Sequence, residues 1–216
     1  MPTISVPQSL LRALIEQRGF HHDIEQVNDQ LPLLGTDIDG CTEEQLDIEI
    51  FPDRPDLLSG ETLALAMVNF LHGAPASPDL NIKPSGLSMS VDAELKTIRP
   101  VIYGAVVRGV ELPEHDEGKE AFIKGLMDHQ EKLHFALGRG RQRASIGVHD
   151  LAKLAPPFRV QAVPGSRSFI PLASEEEMTV SEVLLQHPKG VDYAHLLDGM
   201  EKYPLIVDKN DDVLSF

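Results

Sequence analysis

The segment Leu46-Asp47-Ile48-Glu49-Ile50-Phe51 alternates apolar and acidic side chains. Successive side chains of an extended chain point to opposite faces, so this pattern is satisfied only by a half-buried strand, one face in a core and the other in water. Such a strand needs a covering layer, and the chain offers helical stripes to supply one. After Thr3-Ile4-Ser5-Val6, a short alternating strand, Pro7 suits a first helical turn. Leu10, Leu11, Leu14 and Ile15 then recur at helical spacing, with Gly19 as a stop. A second short helix is expected between Ile24 and Leu34, ending near Pro32, and Gly35 to Thr42 reads as a polar turn. Pro52 and Pro55 close the alternating strand. A helix follows from about Glu61 to Leu71, with Ser59 as its cap, Leu63, Met67 and Leu71 on one face, and Gly73 as its end.

Residues 73–88 are rich in Gly, Pro, Ser and Ala and read as a linker, which puts a domain boundary near residue 85. Beyond it, Val101 to Val107 is strand-like. Glu117 to Leu137 holds the longest helical pattern, carried by Phe122, Leu126, His129, Leu133 and Leu137. Gly138 opens a basic turn, and Ser145 to Val148 reads as a strand, with a helical turn at Leu151 to Leu154. Phe169 to Leu172 follows as a strand. Thr179 with Glu182 forms a capping box at the start of a helix ended by His187-Pro188. Another helix is expected from Tyr193 to Leu197, and a hairpin pairs Leu205-Ile206-Val207 with Val213 to Phe216 around Asn210-Asp211. The sequence stops on this apolar strand, so the second domain is expected to be incomplete at its C-terminus. The fold class expected is α+β.

A hydrophobic fraction of 42% is enough for a sizeable core and too high for a disordered chain. The single cysteine, Cys41, permits no internal disulfide and lacks zinc-ligand partners, which fits a reducing, cytoplasmic setting. Met1-Pro2-Thr3 does not read as the start of a secretory leader, and no run approaches the ~20 apolar residues that span a bilayer. Thirty-four acidic against 19 basic residues leave a formal charge of −15. That sign argues against nonspecific nucleic-acid binding by the whole surface. Two settings account for it: a halophilic source, or an ordinary acidic protein kept soluble by self-repulsion.

Chemistry-bearing motifs are sparse. The nine histidines show no His-Glu-x-x-His pattern; His21-His22 are adjacent, and His129 and His134 stand five apart, off a common helical face. No metal site is expected. Neither a nucleophile elbow nor a phosphate-binding loop of the Walker type occurs. Arg139, Arg141 and Arg143 form either a contact for phosphates or an acidic partner, or a solvated basic turn closing the long helix. His149-Asp150 is either a general-base pair or a structural strand end. Asp53-Arg54-Pro55-Asp56 reads most simply as a proline-stiffened turn with a local ion pair.

Five stretches in order carry a resemblance. They are Glu49-Ile50-Phe51-Pro52-Asp53-Arg54-Pro55-Asp56-Leu57-Leu58-Ser59; Arg99-Pro100 through Arg108; Gln130 to His134 with Gly138-Arg139-Gly140-Arg141 and Ile146-Gly147-Val148-His149-Asp150-Leu151; His187-Pro188-Lys189-Gly190 with Tyr193 to Leu197; and Tyr203 to Asp208 with Val213-Leu214-Ser215-Phe216. Together they resemble the amino-terminal part of the phenylalanyl-tRNA synthetase β subunit of archaeal or eukaryotic type. The chain differs from the family's usual pattern at Asp53, where Asn is common, and at Thr62, where Gly is frequent.

The resemblance implies a small N-terminal α/β domain at 1–85. From 86 to 216 it implies the first part of a β-rich editing-type domain with flanking helices, the family continuing past Phe216. It implies a part in phenylalanine–tRNA ligase, an aminoacyl-tRNA synthetase using ATP and Mg²⁺, with neither expected to bind within this stretch. The implied partners are the synthetase α subunit, in an α₂β₂ tetramer, and phenylalanine tRNA. The family's middle domain hydrolyses tyrosine mischarged on that tRNA, since an apolar pocket rejects an added hydroxyl only weakly. Leu205, Ile206 and Ser215 are the positions implied to line the editing pocket, with no catalytic side chain among them. The family also uses an Asp and a Thr further on, so this stretch by itself is expected to be inactive. Two other roles stay open: a noncatalytic assembly or tRNA-guiding module, built on Arg139, Arg141 and Arg143, and a stand-alone hydrolase of mischarged tRNA.

Overall fold

The computed structural model describes residues 2–73 and 80–216. The chain divides into two compact units that are not sequential. One takes the described residues up to Asn81 together with Glu111–Ile146; the other takes Ile82–Val110 and Gly147–Phe216. The expected linker at 73–88 includes 74–79, which lie outside the described residues.

In the first unit, β1 (Thr3–Pro7), β2 (Thr36–Cys41) and β3 (Gln45–Ile50) form an antiparallel sheet in the order β1-β3-β2. The alternating strand is its centre. Leu46, Ile48 and Ile50 are fully buried, and Ile4 and Val6 stand opposite Ile48 and Leu46 on the same face. Helices α1 (Gln8–Glu16), α2 (Ile24–Gln30) and α3 (Gly60–His72) accompany the sheet. Leu11, Ile15, Val27, Leu63, Met67 and Val68 join the strand residues in one core. Asp23 caps α2 through a reciprocal box with Gln26, and Ser59 caps α3 in the same way with Thr62. Gly73 ends α3 in the left-handed conformation.

Two local expectations need correction. The second helix stops at Gln30 and tightens into a 3-10 turn over Leu31–Leu34, because Pro32 brings no N–H to an α ladder. The stretch expected as a polar turn is largely strand β2. It lies at the sheet edge, where one side needs no partner and acidic side chains stay wet. A bulge between Ile38 and Gly40 breaks the alternation that would have revealed it.

The long helix α4 (Asp116–Ala136) forms as its spacing predicts, but it lies beyond residue 86 in sequence and packs on the first unit's core. Leu133 and Ala136 touch that core and His134 is buried, whereas Phe122, Ile123, Leu126 and Met127 are exposed.

The second unit is built on a sheet of β4 (Met89–Val91), β5 (Phe158–Pro164), β8 (Lys202–Val207) and β9 (Val213–Ser215), in that order. Its β4 runs parallel to β5; the other pairs are antiparallel. A two-stranded ladder, β6 (Ser168–Phe169) and β7 (Met178–Thr179), leads into α5 (Val180–Gln186) and α6 (Pro188–Tyr193). The expected box of Thr179 and Glu182 caps α5, and its hydrogen bonds hold the Glu182 carboxyl below its ordinary pKa. Pro188 sits in the first turn of α6. The helix expected at Tyr193 to Leu197 is the end of α6 and a 3-10 turn. Val163, Val180, Leu205 and Val207 make the core, with Phe169, Leu184, Tyr203 and Val213 against it.

Two expected strands are absent. Val101 to Val107 and Ser145 to Val148 join no sheet, with Tyr103 91% exposed. A β-pattern becomes a strand only where another strand pairs with it, and among the described residues none pairs with either segment. In their place, β5 is an inner strand that the sequence reading passed over, its ends marked by Pro157 and Pro164. Among the described residues no helix is long and apolar enough to cross a membrane.

Candidate functional site

The β8–β9 hairpin positions the residues of most interest. Ile206 stands directly opposite Ser215, and Val207 opposite Val213. Two residues on β8 thus face a span of three on β9, the extra one being Leu214. This bulge inverts the alternation of β9: Val213 joins Val207 in the core, while Ser215 turns to the face of Ile206. The same register continues across the sheet. Val91 pairs with Val160, and Val160 with Ile206, so Val91, Val160, Ile206 and Ser215 form one cross-strand row. Ile206 and Ser215 are half-buried. Leu205 points the other way and is fully buried between the sheet and its helix layer. The structure therefore brings Ile206 and Ser215 together and places Leu205 behind them. Phe216 follows with its ring edge-on to Phe169 at 5.8 Å and to Tyr203 at 6.3 Å, on the core side.

The expected turn at Asn210-Asp211 is held by side chains to which the sequence reading gave no role. Asp208 is 3% exposed, and its carboxylate accepts three backbone N–H groups: Asn210 at 2.8 Å, Asp212 at 3.1 Å and Ala155 at 3.1 Å. Asp211, with φ of 74°, receives Arg159 at 3.0 Å and Arg167 at 2.5 Å. The run Asp208-Lys209-Asn210-Asp211-Asp212 carried a signal for this, since Asp side chains bond backbone N–H groups two residues on.

The basic turn after α4 is more constrained than its composition suggests. Arg139, Gly140 and Arg141 are three consecutive left-handed residues, with φ of 50°, 62° and 66°. Gly138 permits the close return of the chain: a Cβ there would sit 2.5 Å from the Ala144 carbonyl and 2.6 Å from that of His134. Arg141 folds back onto α4, its guanidinium 2.5 Å from Glu131. Arg139 and Arg143 remain exposed. Of the three arginines, two face solvent and one braces the turn.

The remaining candidates take structural places. Asp150 caps the turn Leu151–Lys153 by accepting the Ala152 N–H at 3.0 Å, and His149 is exposed. Arg54 grips Asp56 through two hydrogen bonds of 3.0 and 2.8 Å and donates to the Leu34 carbonyl, which ties the proline turn to the first unit's core. The Arg54 hydrogen bond holds the Asp56 carboxyl below its usual range. Burial pushes the Cys41 thiol up, with a Gln8 hydrogen bond opposing, so it is not an activated thiol. Among the described residues no three His, Cys, Asp or Glu side chains come together to hold a metal ion.

No family model matches the chain. Over its full 216 residues it is 43% identical to the phenylalanine–tRNA ligase β subunit of Methanococcoides burtonii, covering 38% of that relative. With the same subunit of Methanosarcina acetivorans it is 47% identical over 194 residues, 90% of this chain and 34% of the relative. In structure it resembles an N-terminal fragment of the phenylalanyl-tRNA synthetase β subunit from Pyrococcus horikoshii. The TM-score is 0.82 at 31% identity, over 99% of this chain and 60% of that one. The chain thus spans 38% of the length of the first of these curated relatives, and with fold, motif order and identity in agreement it belongs to the phenylalanine–tRNA ligase β-subunit family.

Proposed function

We propose that the chain acts within phenylalanine–tRNA ligase as part of its β subunit, in a cytoplasmic α₂β₂ assembly, and contributes to hydrolytic editing of tyrosine mischarged on phenylalanine tRNA. Ile206 and Ser215 face the tyrosyl group, with Leu205 as the apolar support behind them. The second unit, Ile82–Val110 with Gly147–Phe216, then belongs to the editing-type domain. The observation that carries this reading is the β9 bulge, which places the Ser215 hydroxyl beside Ile206 on one face of the sheet. Phenylalanine and tyrosine differ by one hydroxyl, and a site that hydrogen-bonds that hydroxyl selects tyrosine far better than an apolar pocket rejects it. In the reaction, water oxygen bonds to the ester carbonyl carbon and the bond to the ribose oxygen breaks. One water proton returns to that ribose oxygen, releasing tyrosine and intact tRNA. The protein positions substrate and water without a covalent intermediate. ATP and Mg²⁺ serve the charging reaction of the whole ligase.

The test is deacylation of tyrosine-charged phenylalanine tRNA by the assembled ligase carrying Ser215→Ala. A loss of about tenfold, the equivalent of one hydrogen bond in the transition state, is expected. Unchanged deacylation removes the pocket assignment. The 216-residue chain should be inactive beside the full-length ligase; equal activity would favour a stand-alone hydrolase.

A second reading, an assembly or tRNA-guiding module, is favoured by one observation: Arg139 and Arg143 are exposed on a chain of net charge −15. Replacing both with Ala should weaken tRNA binding and flatten its salt dependence. Unchanged affinity at low salt would sink it.

A further inference from the structure

We infer that Asp208 is a positioning residue for ester hydrolysis, acting through Ser215; this rests on the editing role proposed above. Asp208 is the last residue before the hairpin turn and is 3% exposed. A carboxylate buried this deeply needs its lone pairs filled, and here they are filled by backbone alone. Oδ1 takes the N–H groups of Asn210 and Asp212, while Oδ2 takes that of Ala155. The Asp208 backbone closes the same turn, its N–H donating to the Asp212 carbonyl at 3.0 Å and its carbonyl accepting from Asp211 at 3.2 Å. Lys209 donates to the Ala155 carbonyl at 2.9 Å, so the turn is bonded in both directions to the segment that enters β5.

The consequence is a matter of register. Asp212 is the residue before β9, and its N–H is fixed by Asp208 at the point where β9 begins. From there the chain reaches Val213 opposite Val207, bulges at Leu214 and presents Ser215 opposite Ile206. A slip of one residue would send Ser215 to the core face and Leu214 to the face of Ile206. The buried carboxylate at the root of the bulge holds this register, and so decides which side chain meets the substrate.

The experiment uses the ligase holoenzyme and tyrosine-charged phenylalanine tRNA, with Asp208→Asn, Ser215→Ala and the double variant. Asp208→Asn keeps size and one oxygen but turns an amide N–H toward the Ala155 N–H. Deacylation should fall by roughly ten- to a hundredfold, the effect of a misplaced contact at the reacting ester. Phenylalanine charging by the same preparation should be unchanged, and amide exchange should quicken at Asn210, Asp212 and Ala155. The double variant should be no slower than the slower single variant, because both changes remove the same contact.

Losses that multiply in full would overturn the positioning role while leaving the editing pocket standing, as would a normal rate for Asp208→Asn. A normal rate for Ser215→Ala would overturn the pocket itself and the inference with it. If Asp208→Asn also abolishes charging, Asp208→Ser, whose hydroxyl still bonds a turn N–H, is read by the same criteria.

Discussion

His134 accepts the backbone N–H of Ile146 on Nε2 at 2.7 Å, across a turn of twelve residues. Its proton then sits on Nδ1, facing Glu131 at 3.4 Å, while Glu131 also holds Arg141. The ring therefore fastens the last turn of α4 to the far side of the basic loop. Replacing His134 with Ala leaves the Ile146 N–H without its acceptor and opens a void at a buried site. A loss of about 1–3 kcal/mol is expected, read as a lower urea midpoint with unchanged slope.

Gly190 lies where α6 crosses α5. A Cβ at this position would overlap the Val183 carbonyl of α5. Backbone cannot yield as a flexible side chain does, so Gly190→Ala should cost about 1–3 kcal/mol or more. Thermal unfolding of the variant beside Gly125→Ala, where the space is open, checks this.

His22 titrates below its ordinary value of 6.5, through burial first and the Arg12 guanidinium second, with Asp23 and Glu16 opposing and His72 adding to the depression. As pH falls below that value the unfolded chain takes the proton first, so stability present above it is lost as pH drops through the folded pKa. A proton NMR titration should place the His22 midpoint below 6.5. Arg12→Gln should move it upward, and no movement would discard the Arg12 contribution.

On the wet face of the first sheet, Asp37 stands directly opposite Glu49. Like charges in that position repel. Asp37→Lys should stabilise the protein by about 0.2–1 kcal/mol at low salt, and the gain should shrink in molar salt as screening takes over. Stability of the unmodified chain should rise over the same range.

Much of this was legible before the structure. The strand Gln45–Ile50 and helices α1, α3 and α5 follow from period and caps, which are local: each needs only residues within a turn or a strand length of one another. The order of five short motifs pointed to the family. What escaped was decided by neighbours distant in sequence. Thr36–Cys41 is a strand because β3 offers it an edge, and Val101–Val107 is not one because no strand among the described residues pairs with it. Helix α4 was placed correctly along the chain, yet the core it serves belongs to residues far before it.

The candidate site divides in the same way. The sequence alone determined that Leu205, Ile206 and Ser215 belong to a hairpin, since alternation and an Asp-rich turn are written into adjacent residues. Which of them share a face was settled only by the fold. Leu214 bulges, Ser215 turns to Ile206, and Leu205 goes to the core. A one-residue change of register inverts every side chain beyond it, and that register is held by a carboxylate bonded to a backbone N–H fifty-three positions away, a relationship that no local pattern encodes.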